Sequence, residues 1–121
     1  MAWQSLAKEQ YINLSTFRKT GVAVATPVWF AEHDGNLYIY SGGDSGKVKR
    51  IRNNGRVELA ACNARGVVHG PVLPGHARLL SGDEAKVANT ILNRKYFLKR
   101  LFDVMRTLRR GTAALIEIVP G

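Results

Sequence analysis

Leu37-Tyr-Ile-Tyr40, Ser41-Gly-Gly-Asp-Ser45, Gly46-Lys-Val-Lys-Arg-Ile-Arg-Asn-Asn54 and Arg56-Val-Glu-Leu-Ala-Ala-Cys62 follow one another almost without a break. They read as a strand, a glycine-rich loop, a short basic helix and a second strand. A Gly-rich loop at a helix start exposes backbone N–H groups, and the helix dipole adds partial positive charge at the same place. Lys47 and Arg50 lie one turn apart, which brings two cations to one side of the helix. The combination suits a phosphate. It is not a nucleotide-hydrolysing loop, because no Gly-x-x-x-x-Gly-Lys-Ser/Thr pattern is present.

Working outward, Tyr11 to Phe17 alternates as a strand, and Arg18-Lys19-Thr20-Gly21 is a turn. Val22 to Ala31 is a second strand, joined to the first as a hairpin. Pro27 inside it points to an edge, a bulge or an interruption, since proline cannot donate to a ladder. Trp29 and Phe30 fall on opposite sides of that strand, so one of them belongs to the core. A turn of the Asp-Gly kind (Asp34-Gly35) leads into the strand at Leu37. Beyond Cys62, Val67 to Leu80 reads as a long strand interrupted at Pro71, Pro74 and Gly75. Ser81-Gly-Asp-Glu84 fits a capping box for a helix from about Asp83 to Leu92. Residues 94–110 place Leu98, Leu101, Phe102, Met105 and Leu108 at helical spacing with cations opposite. Gly111 can end that helix, and Thr112 to Val119 closes the chain as a strand. Residues 2–9 allow a short helix.

The pattern amounts to about six strands joined by short links, with helices after the third and fifth. It predicts a mainly β domain spanning 1–121, a small antiparallel barrel with helical inserts.

Composition narrows the function. The net charge of +9 is clustered: 13 of the 18 cations fall in residues 47–56 or 86–110. Such a field attracts a polyanion or a ligand carrying phosphate and carboxylates. Nucleic acid is disfavoured, because the aromatics are not interleaved with the cations as stacking platforms require. One cysteine, Cys62, excludes a disulfide framework within the chain and a Cys-rich zinc site, and it reads as a small buried apolar residue. His33, His69 and His76 have no metal-ligand spacing. No Ser/His/Asp triad or carboxylate pair is legible, so a hydrolase is a poor fit. No run reaches membrane-spanning length and the first ten residues lack a signal-peptide core; the expectation is a cytoplasmic protein.

Five blocks, in this order and at this spacing, resemble the pyridoxamine-phosphate-oxidase-like split barrels. They are Tyr11-Ile-Asn-Leu-Ser-Thr-Phe-Arg-Lys-Thr-Gly21, Thr26-Pro-Val-Trp-Phe30, Leu37-Tyr-Ile-Tyr-Ser41, Ser45-Gly-Lys-Val-Lys-Arg-Ile-Arg-Asn-Asn54 and Arg56-Val-Glu-Leu-Ala-Ala-Cys-Asn63. Within that superfamily the chain is most similar to the deazaflavin (coenzyme F420)-dependent oxidoreductases, over about Tyr11 to Val119. The resemblance implies a six-stranded antiparallel split β-barrel and a homodimer with cofactor sites between protomers. It places the cofactor's phosphate arm on Ser45, Lys47, Arg50 and, beyond them, Lys49. The flavin-like ring falls along Thr26, Pro27, Val28 and Trp29. The implied activity is hydride transfer between F420 and an organic acceptor. FMN in the same fold, or flavin binding without turnover, is the alternative. Because the cofactor carries the redox chemistry, no catalytic acid or base is expected from the chain, and no metal.

Overall fold

The computed structural model describes residues 6, 9–42, 45–95 and 113–121. The short helix expected over 2–9 and the helix expected over 94–110 lie largely outside these residues, as do Gly43 and Asp44.

Seven strands and two helices are present among the described residues: β1 (Tyr11–Phe17), β2 (Ala23–Trp29), β3 (Ala31–His33), β4 (Asn36–Gly42), α1 (Gly46–Asn53), β5 (Arg56–Cys62), β6 (Leu73–Leu80), α2 (Gly82–Lys95) and β7 (Ala113–Pro120). The strands form one sheet in the order β2-β1-β5-β6-β7-β4-β3, and every pairing is antiparallel. The sheet's curl follows from one residue. β2 and β3 stand at opposite edges of the sheet, yet Phe30 alone separates them along the chain. Consecutive Cα atoms are about 3.8 Å apart, so the two edges must come together. The result is a curled, nearly closed barrel of the split type.

The strand expected over Val22 to Ala31 is therefore two strands, and the count rises from six to seven. Its Pro27 causes no loss in the ladder, because β2 is an edge strand. The two-residue link Asp34-Gly35 between β3 and β4 has positive φ at both positions, 52° and 83°, the requirement of a primed hairpin turn. The strand expected from Val67 starts only at Leu73. Ahead of it, Val68 makes an isolated bridge to Cys62. The helix expected from Asp83 to Leu92 extends through Lys95. Its capping box does not form as drawn: both Glu84 carboxylate oxygens accept from the Arg78 guanidinium, at 3.3 and 2.6 Å.

Alternation along the strands fills the barrel. Ile12, Leu14, Leu37, Ile39, Val57, Leu59, Ile116 and Ile118 are all buried in one core, joined by Phe30. Val48 and Ile51 of α1 enter this core and close one end of the barrel. A smaller cluster (Ala31, Ala88, Ile91, Leu92 and Leu115) seats α2 on the outer face, with Trp29, Tyr38 and Tyr40 packed against it. Phe30 is thus the core residue of the Trp29–Phe30 pair, and Trp29 faces outward. Cys62 is buried, and burial raises its thiol pKa. Among the described residues no helix is long and apolar enough to cross a membrane.

Candidate functional site

At the barrel rim, two inward-facing positions break the apolar alternation. On β1 the series Ile12, Leu14 ends in Thr16, and on β4 the series Leu37, Ile39 ends in Ser41; both hydroxyl residues are buried. A buried hydroxyl needs a partner, and α1 supplies one to each. Arg50 Nε donates to Thr16 Oγ1 at 2.6 Å, and Lys47 Nζ donates to Ser41 Oγ at 3.3 Å. Ser41 and Ser45 share a hydrogen bond between their hydroxyls at 3.0 Å. Ser45 is also the N-cap of α1, accepting from the Val48 amide at 3.3 Å.

The two cations are held where cations are least comfortable. The first turn of α1, residues 46–49, carries no carboxylate, and the N-terminal end of a helix repels positive charge. Arg50 nevertheless folds back over that turn. A Cβ built on Gly46 would lie 2.7 Å from an Arg50 guanidinium nitrogen. Burial lowers the Lys47 pKa, and the neighbouring Arg50 charge lowers it further. Helix dipole and two clustered cations together form a field that an anion would relax.

Lys47 also lines a groove of about 380 Å³ with Tyr11, Pro27, Val28, Trp29, Tyr40, Ser41 and Gly42. Trp29 lies between two tyrosines, with ring centroids 6.3 Å from Tyr11 at 56° and 6.3 Å from Tyr40 at 50°. The groove therefore combines an aromatic and proline wall with a lysine and the Ser41 hydroxyl. Pro27 is exposed, with Gly66 of the loop after β5 close to its ring.

Of the residues singled out in the sequence, Pro27, Val28, Trp29 and Lys47 meet in this groove, although β2 and α1 are distant in the chain. Ser45 and Arg50 stand behind Lys47 through the hydroxyl network. Thr26 is half-buried on β2 opposite Leu14 and does not line the groove. Lys49 and Arg52 are exposed. Tyr11, Tyr40, Ser41 and Thr16 are the contributors that sequence reasoning missed. A signal for two of them existed: Ser41 and Thr16 are the polar ends of inward apolar series.

The histidines stay apart. His33 lies 3.4 Å from Asp34 and His69 lies 3.1 Å from Glu9, both at the surface. Among the described residues no group of three metal-ligating side chains occurs.

A family model described as pyridoxamine 5'-phosphate oxidase matches residues 2–116. No curated protein matches the chain. Many solved structures do. A candidate pyridoxamine 5'-phosphate oxidase of Listeria innocua superposes with a TM-score of 0.68 at 18% identity, covering 95% of this chain and 86% of the other. The haem storage protein HutZ of Vibrio cholerae gives a TM-score of 0.74 at 9% identity, covering 94% and 83%. A third structure, described as a domain-swapped dimer, gives 0.68 at 17% identity, covering 90% and 79%. At these identities the likeness is one of fold.

Proposed function

The chain belongs to the pyridoxamine 5'-phosphate oxidase family, and from that premise we propose that it is an oxidoreductase binding a flavin-type cofactor, the deazaflavin F420. The observation that carries this reading is the groove, which joins an aromatic wall at Trp29 to an anion-seeking end at Lys47. A flavin-type cofactor has the matching polarity: a flat ring at one end and a phosphate at the other. When bound, the deazaflavin supplies the hydride for an organic acceptor.

The chain's own residues bind and orient. Lys47, with Arg50 behind it, takes the phosphate, and Ser41 and Thr16 fix the directions of the two cations. The α1 amides next to Ser45 add donors. Pro27, Val28 and Trp29 give the ring a surface, with Tyr11 and Tyr40 holding the Trp29 plane. No acid or base of the chain is assigned a proton to move. F420 is preferred over FMN because it carries further acidic groups beyond the phosphate, and the chain's net charge is +9. FMN is the second reading, since Lys47 and Arg50 could equally meet a monophosphate.

The groove is open, and we assign its missing side to a second copy of the chain in a homodimer, a reading supported by the dimeric neighbour. Reversing both charges, Lys47→Glu with Arg50→Glu, should remove cofactor binding while the circular dichroism of the β-sheet stays unchanged. Full affinity in that variant, read by fluorescence titration, sinks the anchor assignment. Sedimentation velocity on the same sample should show a dimer, and a monomer at micromolar concentration counts against the shared site.

A further inference from the structure

A second pocket, of about 310 Å³, lies between β3 and the C-terminal end of α2 and shares no lining residue with the groove. Ala31 and Ile91 form its apolar floor. Its polar groups are Glu32, His33, Arg94 and Lys95. Lys95 is held in place from beneath. Its Nζ donates to the Glu9 carbonyl at 2.6 Å and stands 3.8 Å from the centroid of the buried Phe30 ring.

Desolvation brings the Lys95 amine down to about 8, against the opposing pull of the Glu9 and Glu32 carboxylates. Burial therefore leaves more of it as free base near neutral pH than an exposed lysine has. A neutral amine is a nucleophile toward carbonyl carbon. A guanidinium at the next residue is the group that best matches a planar carboxylate. Glu32 in the same wall disfavours a doubly charged ligand such as phosphate.

We propose that this pocket is a carbonyl-binding site in which Lys95 forms an imine with a small oxo acid whose carboxylate is held by Arg94. The Lys95 Nζ lone pair adds to the carbonyl carbon, forming the C–N bond. Both amine protons pass to the carbonyl oxygen, which leaves as water, and no electrons are gained or lost overall. Ala31 and Ile91 accommodate a short alkyl substituent.

Reductive trapping tests the site directly. The full chain is incubated with glyoxylate and cyanoborohydride at pH 7, and adducts are mapped by peptide mass. Lys95 should be trapped at least ten times faster than Lys49 or Lys86, which are exposed, because each pKa unit is worth tenfold in free amine. Arg94→Ala should slow trapping by glyoxylate about tenfold and leave trapping by propionaldehyde, which has no carboxylate, unchanged. Labelling of Lys95 no faster than Lys86, a dominant adduct at Lys47, or equal slowing of both probes in Arg94→Ala would overturn the proposal.

Discussion

Gly46 illustrates how much of the candidate site hangs on single residues. It opens α1 and has no side chain where the Arg50 guanidinium comes to rest. An added methyl at 2.7 Å from that guanidinium must push it aside, and the flexible tip of an arginine can move without disturbing the backbone. Alanine is also a better helix former than glycine, by about 1 kcal/mol. Gly46→Ala should therefore keep or slightly raise thermal stability while weakening cofactor affinity about tenfold. A variant that loses stability and keeps its affinity would contradict the placement of Arg50. The sequence set Arg50 beside Lys47 on one side of the helix; it could not show which hydroxyl holds it. Thr16 lies 34 residues away, and only strand pairing brings the two together.

Lys95 and Lys47 give the fold a pH signature whose sign follows from proton counts. Lys95 titrates at about 8 in the folded chain and near 10.5 when unfolded, so between these values the unfolded state holds more protons. Stability then rises with pH across that window, and Lys47, also lowered, acts in the same direction. Cys62 and Tyr38 oppose: burial raises the thiol above its usual 9.0, and burial with the hydrogen bond to Glu117 raises the phenol above 10.0, so the folded state keeps those protons longer. Denaturation curves between pH 8 and 10 should show a rise in stability that is smaller in Lys95→Met. Equal slopes in the two proteins would show that Lys95 is not desolvated.

Elements carry the next level of explanation. The hydrophobic alternation of β1 and β4 was legible because each turns every second residue into the core and leaves those between half-buried, the condition under which period-two patterning works. The break at Phe30 was not. The run Val22 to Ala31 is apolar apart from Thr26, and its one marker, Pro27, stands three residues before the break at Phe30. Glu84 misled for a different reason. Its local partner would be the Ser81 amide, but folding brings Arg78 close enough for a two-point ion pair, with Glu117 accepting from the same guanidinium at 2.9 Å. Charge-assisted pairs of this geometry displace weaker local ones.

Gly75 was read as a bend marker, and its element shows a tighter constraint. It lies in β6 between Val57 of β5 and Pro120 of β7, and a Cβ there would come within 2.9 Å of an Ile118 methyl and 3.3 Å of the Val119 carbonyl. Gly75→Ala should cost about 1–3 kcal/mol by overpacking, read as a lower urea midpoint at unchanged m-value. A midpoint within error of the parent would mean that β6 and β7 are less closely packed than they stand.

At the scale of the whole molecule, the fold and the site are coupled by the way the barrel closes. Phe30 draws the two sheet edges together, which brings β2 beside β4 and hence Trp29 beside Tyr40. α1 plugs one end through Val48 and Ile51, and the same seating aims Lys47 into the groove. Ring wall and anion anchor are thus products of closure, which is why the sequence suggested both but could not join them without the family resemblance. The chain's positive charge extends beyond the groove, and the proposed preference for F420 over FMN rests on it.

A paired titration of the cofactor-free protein with F420 and with FMN, at one ionic strength, tests this most directly. The expected result is saturable binding of F420 at one per chain, tighter than FMN, and weakened at least about a hundredfold by Lys47→Glu with Arg50→Glu, since two charge-assisted hydrogen bonds are each worth about 1.5–3 kcal/mol. Absence of saturable binding by either cofactor, or binding indifferent to the reversed charges, would contradict it.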